Sequence, residues 1–472
     1  MSDINTHDYL RNLYSEQHAQ DLERARRALF LSDVGAMVAS ISAFTLFDTF
    51  GTASSTDRGG AQGARLIKRK RLDVDEHFKI IGRRLFRRKY RMDKTSFYKL
   101  LDILEPYLPQ TGADRSKPGS VRNGPITKTS RLAMALRYCA GGDPVDIGDH
   151  HGVKSDEVVR SVWAVVDAIH SAPQMKIEFP RSHQEQYRVA QGFRAKSDIN
   201  IDVCVGDIDG ILIWIHRPSK SDIKAIKFGP AKFFCGRKKK FGLNMQAVCD
   251  ADKRFLDVEI KFPGSTSDFF AFEQSNIKAI IEEEGFLRPG YCLFGDNAYV
   301  NAPYMCVPFR NVEAGTDKDA FNFFQSQVRI NIECAFGILV NRFGILRKPI
   351  PNNINVQKTC SLVLALCKLH NFCIDQSDRS IDAALSRDVA HIVREGGEYC
   401  PRIDEDGAAV WEYDEEEDRL NALLDGGEHR NDHSATARRR YRWVEDLPRS
   451  RLHRVVSARG LTRPTRSSYG NR

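Results

Sequence analysis

The sequence predicts an α/β fold, a mixed five-stranded sheet with flanking helices, preceded by an all-α region. Three observations carry this. Apolar residues alternate at Ile199, Ile201, Val203 and Val205 and then run through Ile211 to Ile215, as expected of one long strand or a bent pair. Two further runs, Phe241 to Cys249 and Phe255 to Phe262, read as strands joined by the polar turn Asp250 to Lys253. The stripe Phe321, Phe324, Val328, Ile332, Ala335, Leu339 and Phe343 recurs at helical spacing and marks one long helix over 320–343.

Taken in chain order, residues 8–47 read as helix, and the Gly-, Ser- and Thr-rich run 51–63 reads as a linker. The apolar stretch Val34 to Phe47 is shorter than the roughly 17–25 residues a membrane span needs, so it reads as a buried helix. From Phe78 onward a helical stripe (Phe78, Ile81, Leu85, then Phe97, Leu100, Leu101 and Leu104) carries Arg83, Arg84, Arg87, Arg88 and Arg91 around its first turns. Such a helix packs by one face and offers phosphate contacts from the other. Residues 127–170 give three helical segments with short breaks, the last opening at Ser155 as a helix cap. Helix, tight turn, helix is a layout shared by DNA-binding helix-turn-helix units and by ordinary helical hairpins. After the strands, 268–284 reads as helix, 291–294 as a short strand and 320–343 as the long helix. Strand, hairpin, helix, strand, helix is the order of the ribonuclease H-like fold. Four regions follow: 1–63, a helical segment and linker; 64–175, helix-turn-helix-like; 195–376, the α/β region; and 377–472, an acidic then arginine-rich tail that reads as disordered.

Net charge is +9, unevenly spread. Arg65 to Arg91 holds twelve basic residues against three acids, and Arg438 to the end eleven arginines against two. Blocks of this kind suit polyanionic partners. The eleven cysteines include no CxxC pair, which argues against a disulfide framework and for a reducing compartment. Cys367, His370 and Cys373 lie on an apolar helical run and lack a fourth ligand for structural zinc. No phosphate-binding loop, dinucleotide fingerprint or nucleophile elbow occurs, so the sequence supports neither an ATP-driven nor a serine-hydrolase function.

The chemistry is concentrated in three acids. Asp209 interrupts an apolar strand, where a charge is costly unless paired or metal-bound. Asp296 follows a short strand, and Glu333 borders the apolar stripe of the long helix. Individually each reads as a turn, cap or surface residue. Together, in this order, they can hold two hard cations that act on a phosphodiester. Asp268 opens the helix after the third strand and reads as its N-cap or as an auxiliary ligand. Asp207 falls on the same side of the strand as Asp209 and would add charge there. Arg237, Lys238, Lys239 and Lys240, and after the long helix Arg342, Arg347 and Lys348, flank this region as candidate phosphate contacts.

Gly206 to Gly210, Gly264 to Asp268, Gly295 to Tyr299, Arg329 to Gly337 and Leu369 to Phe372, in this order, resemble PIF/Harbinger-type transposases, the family of the Harbinger-derived nucleases. Tyr90-Arg91-Met92 and Ala140-Gly141-Gly142 extend the resemblance into the helical part. The chain departs from the pattern at Ile211-Leu212, where Thr-His is frequent, and at Asp207, where a small residue is usual. The resemblance implies that Asp209, Asp296 and Glu333 are a catalytic metal-binding triad using magnesium, with manganese able to substitute. It further implies double-stranded DNA with terminal inverted repeats as substrate, a Myb/SANT-like protein partner and nuclear residence, and it allows a homo-oligomer. Lys68 to Arg71 is a matching import signal. A domesticated DNA-binding or scaffold protein that no longer transposes is the alternative.

Overall fold

The computed structural model describes residues 70–109, 126–197, 199–226, 229–313 and 316–376, with the backbone of 402–403 and 409–410. The expected helix 8–47, the linker and nearly all of the tail lie outside the described residues. Among the described residues no helix is long and apolar enough to cross a membrane.

The chain opens with α1 (Val74–Ile80), α2 (Arg83–Tyr90) and α3 (Lys94–Leu104). Asp73 caps α1 by accepting from the Glu76 amide, and the helix ends at Ile81, before Gly82 starts α2. This break shifts the helical phase: Phe86 takes the buried place expected of Leu85, which is 49% exposed. Phe78, Phe86, Tyr90 and Phe97 then form an aromatic nest, with Phe78 5.0 Å from Phe97 between ring centroids. Three helices follow, α4 (Lys128–Cys139), α5 (Pro144–His151) and α6 (Ser155–Ser171). Ser155 is the first residue of α6 rather than its cap; Lys154 holds the cap position and makes no capping bond. Gly152 closes α5 at φ +66°, and a Cβ there would lie 2.0 Å from the Lys70 carbonyl oxygen, so only glycine fits. A further helix, α7 (His183–Lys196), lies where the apolar pattern predicts no element. It is started by a capping box between Ser182 and Glu185.

The α/β part begins with β1 (Cys204–Trp214) as one long strand; residues 199–203 precede it and are not strand. After α8 (Lys220–Ile226) come β2 (Phe234–Cys235), β3 (Lys240–Cys249) and β4 (Phe255–Pro263). The helix expected over 268–284 is two short ones, α9 (Asp268–Glu273) and α10 (Asn276–Ile281). Then β5 (Cys292–Phe294) and β6 (Met305–Cys306) precede α11 (Asp317–Arg342) and α12 (Val356–Asp375). The sheet runs β4-β3-β1-β5-β6, antiparallel on one side of β1 and parallel on the other. It has six strands rather than five, because the two-residue β2 joins the start of β3. A mixed sheet with helices on both sides is consistent with the ribonuclease H-like arrangement expected.

Strand alternation sorts β1 between the two layers. Ile208 packs in the cluster that contains Phe272 and Ile277 of α9 and α10. Ile211 and Ile213 pack in the cluster containing Ile332 and Ala335 of α11. That second cluster continues without interruption through α12 into the helical part, from Val74 to Cys373. His170 of α6 meets the Ser361 carbonyl of α12 at 2.9 Å across this seam.

Burial lowers several histidines, two of them most strongly. His151, beside His150, is pushed down to about 3, and His370 to about 3 in the core, where it meets the Lys253 carbonyl. A depressed histidine pKa costs stability as pH falls below 6.5, since the unfolded chain takes up the proton first. The penalty grows by up to about 1.4 kcal/mol per pH unit and per group until the folded pKa is reached. Urea melts at about pH 6.5 and about pH 4.5, on either side of most of that titration, should therefore show a marked loss, smaller in His151→Phe. An equal loss in both proteins would show that His151 does not contribute.

Candidate active site

Parallel pairing sets the first two acids side by side. Asp207 of β1 pairs with Phe294 of β5, so Asp209 and Asp296 each lie two residues beyond that pair. The Asp296 turn is fastened from three directions. Its carboxylate accepts from the Ala298 amide at 2.9 Å, Gln325 of α11 donates to the Gly295 carbonyl at 2.8 Å, and Arg310 donates to the Asn297 carbonyl at 2.9 Å. Alternation turns Asp209 toward α11, where Glu333 stands at the edge of the stripe. All seven expected stripe residues are buried.

Asp268 joins this group by a different route. Ser267, not Asp268, caps α9, accepting from the Phe270 amide at 3.4 Å. The Asp268 carboxylate is free to point inward and is only 9% exposed. Asn244 Nδ2 and Gln246 Nε2 of β3 both donate to its Oδ1, at 2.9 and 2.8 Å. Gln246 is held in turn by the buried Tyr299 hydroxyl, which donates to its Oε1 at 2.6 Å. A Cβ on Gly210 would fall 1.9 Å from Asp268 Oδ1, so the glycine after Asp209 makes the space in which Asp268 lies.

The electrostatics follow from this crowding. Burial pushes Asp209 well above the usual carboxylate range, and the negative charges of Asp296, Asp268 and Glu333 add to the rise, against Arg329. Burial also raises Asp268, with Asp296 adding to it and Arg237 opposing. Raised carboxylate pKa values mark groups that need a cation or a proton. Four carboxylates offer oxygen donors only, the set that fits a hard divalent ion. Among the described residues no three such side chains already converge tightly enough to hold an ion as they stand. Arg329, one helical turn before Glu333, lies within ion-pair distance of both Glu333 and Asp209.

Asp207 stands apart from the acids that raise Asp209, although Arg329 acts on it as well. It is fully buried beside Cys204, whose thiol lies 3.5 Å from Oδ1, and opposite Cys249 on β3. Burial holds its carboxyl protonated well above the usual range. Arg342 is also removed from the candidate phosphate contacts: it is buried and donates to the Arg91 carbonyl at 3.3 Å. Arg237, Lys238 and Lys239 are exposed on the turn before β3, while Lys240 Nζ sits 3.4 Å above the Trp214 ring. In the helical part Arg83 and Arg87 both pair with Asp93, and Arg84 and Arg88 are exposed. Arg91 ends α2 at φ +62°, close to Arg347, Arg88 and Arg342.

Residues 208–371 match the family model of the DDE superfamily endonuclease. The chain is 23% identical over 274 residues to an ALP1-like protein of Arabidopsis thaliana, a match covering 55% of this chain and 63% of that relative. It is 24% identical over 312 residues to the Arabidopsis thaliana protein named antagonist of like heterochromatin protein 1, covering 62% and 74%. The chain thus spans less than two thirds of the ALP1-like protein's length. No solved structure matches it. The chain carries a DDE superfamily endonuclease domain. With these relatives, it is consistent with the Harbinger-type DDE nuclease family that its motifs resemble.

Proposed function

We propose that this protein is a divalent-metal-dependent DNA endonuclease of the transposase type, with Asp209, Asp296 and Glu333 as the metal-holding triad and Asp268 as a fourth acid. The observation that carries the reading is the mutual electrostatic influence of four acids from β1, the end of β5, α9 and α11: burial raises Asp209, with Asp296, Asp268 and Glu333 adding to it, and burial raises Asp268, with Asp296 adding to it. Magnesium, or manganese in its place, would supply a water activated at neutral pH and stabilise the leaving oxygen. The protein's own share is positioning. Gln325 and Arg310 hold the Asp296 turn, and Asn244 and Gln246 aim Asp268. The freed 3′-hydroxyl would then attack a phosphodiester of the target DNA, joining the cut 3′ end to the target phosphate as the target's own 3′-oxygen leaves, with terminal inverted repeats as substrate and the nucleus as site of action. A Myb/SANT-like partner would add sequence recognition, and a second copy of the chain is compatible with two DNA ends.

Asp268 tests the four-acid form. Asp268→Asn keeps an oxygen to accept from Asn244 and Gln246 and removes a carboxyl that burial already disfavours as an ion. Melting should be unchanged or slightly raised, and magnesium-dependent cleavage should fall on the order of a hundredfold, about 2.7 kcal/mol. Near wild-type cleavage would reduce the site to three acids.

DNA affinity is assigned to backbone contacts by the helical part. Arg84 and Arg88 are the residues to change, because Arg83 and Arg87 neutralise Asp93. Replacing both with Ala should lower the log–log salt dependence of binding by roughly 0.9 for each phosphate left without its arginine, with no dependence on DNA sequence. An unchanged slope in a natively folded double variant would shift the DNA path toward Arg237 to Lys239.

A second reading is a domesticated DNA-binding or scaffold protein that no longer transposes; one relative's name, antagonist of like heterochromatin protein 1, supports a chromatin context for it. The four acids argue for retained cleavage. Cleavage without strand transfer would favour domestication.

A further inference from the structure

The carboxylate cluster carries its own cation. Arg329 leaves α11 four residues before Glu333, and its Nη2 lies 2.7 Å from Glu333 Oε1 while Nη1 lies 3.7 Å from Asp209 Oδ2. Its side chain is 8% exposed. Burial opposes its charge, yet Glu333, Asp209 and Asp296 more than offset that. The guanidinium therefore engages oxygens of two acids that a shared divalent ion would need. Two cations confined to the same buried space repel strongly, because little water screens them. One arginine also cannot balance the whole group: Asp209, Asp296, Glu333 and Asp268 surround the site, and a second basic residue, Arg237, opposes the rise at Asp268. A further positive charge is still favoured, provided the guanidinium yields its place.

We propose that Arg329 is a resident counter-ion, pairing Asp209 with Glu333 in the metal-free protein and displaced from Asp209 when a divalent cation binds. This rests on the metal-binding reading of the site. The exchange makes the metal-free fold stable despite four clustered acids and makes ion affinity weaker than the bare acids would give. The i, i+4 spacing lets Arg329 stay near Glu333 on the same helix face while it leaves Asp209.

The test uses the full chain without DNA: wild type, Arg329→Gln and Arg329→Lys, titrated with Mn2+ and Ca2+ by calorimetry and melted in chelator and in saturating cation. Arg329→Gln should bind Mn2+ about tenfold or more tightly than wild type. It should melt lower than wild type in chelator, with the gap closing in saturating cation. Arg329→Lys keeps the charge but cannot bridge two carboxylates, so it should fall between. If Arg329→Gln does not fold, Arg329→Lys decides, a severalfold tightening supporting the exchange and equal or weaker binding overturning it. Equal or weaker Mn2+ binding by folded Arg329→Gln would overturn the counter-ion role while leaving the metal site standing. Absence of cation binding by all three proteins would overturn the inference together with the metal-binding reading.

Discussion

Asp296→Asn should abolish magnesium-dependent DNA cleavage and leave the fold as stable as before, or more so. The loss should be on the order of a thousandfold or greater, about 4 kcal/mol of transition-state stabilisation. Stability should hold because the Ala298 amide can donate to an asparagine oxygen as well, while a charge that raises Asp209 disappears. Asp209→Asn and Glu333→Gln should lose as much activity, but Glu333→Gln differs in stability. It turns the charged 2.7 Å partner of a buried guanidinium into a neutral amide oxygen, weakening a charge-assisted bond of the kind worth about 1.5–3 kcal/mol. The sequence alone, which shows only crowded acids, leads one to expect all three variants to be neutral or stabilised. The placement of Arg329 separates them. Plasmid nicking and thermal melts on the same preparations check both halves, and near wild-type nicking by any of the three would end its assignment to the triad.

Gly210→Ala should be nearly as damaging, through a single methyl group. Its Cβ would lie 1.9 Å from Asp268 Oδ1, 2.6 Å from Asp268 Cγ and 2.6 Å from Gln246 Nε2. Asp268 has little room to yield, because Asn244 and Gln246 hold its oxygen and Tyr299 holds Gln246. Either β1 shifts or the carboxylate is expelled, at a cost of about 1–3 kcal/mol, as for other overpacked cores. Cleavage should fall with it. Adding Asp268→Ala in the same chain should recover much of the stability and none of the activity, a non-additive result expected of residues that touch directly. If Gly210→Ala melts and cleaves like wild type, the packing of Asp268 over β1 is wrong.

The parts of this arrangement visible in the sequence are those set by periodicity. The α11 stripe, the β3–β4 hairpin and the position of Asp209 in an apolar strand all follow from spacing along one element. The failures occur where a second element decides. Asp268 looks like a helix cap until β3 brings Asn244 and Gln246 to it, and Ser267 is an equally good capping residue one position earlier. Asp207 shares a strand face with Asp209 in principle, but Cys204, Cys249 and full burial remove it from the cluster. Arg329 stands at i−4 from Glu333, a signal present in the sequence. Its reach to Asp209 depends on the packing of α11 against β1. Leu85 continues the apolar spacing from Phe78 but is exposed, because Gly82 restarts the helix in a new phase. The start of α7 is spelled by Ser182 and Glu185, a capping box that apolar periodicity does not register.

The most direct test of the central claim is nicking of supercoiled plasmid by the purified full-length chain, stripped of metal and then supplied with magnesium or manganese. Nicking should occur only when one of these ions is added, be abolished by chelator and be absent in Asp296→Asn. Nicking that persists in chelator, that Asp296→Asn retains, or that no ion restores in natively folded wild type would contradict that claim.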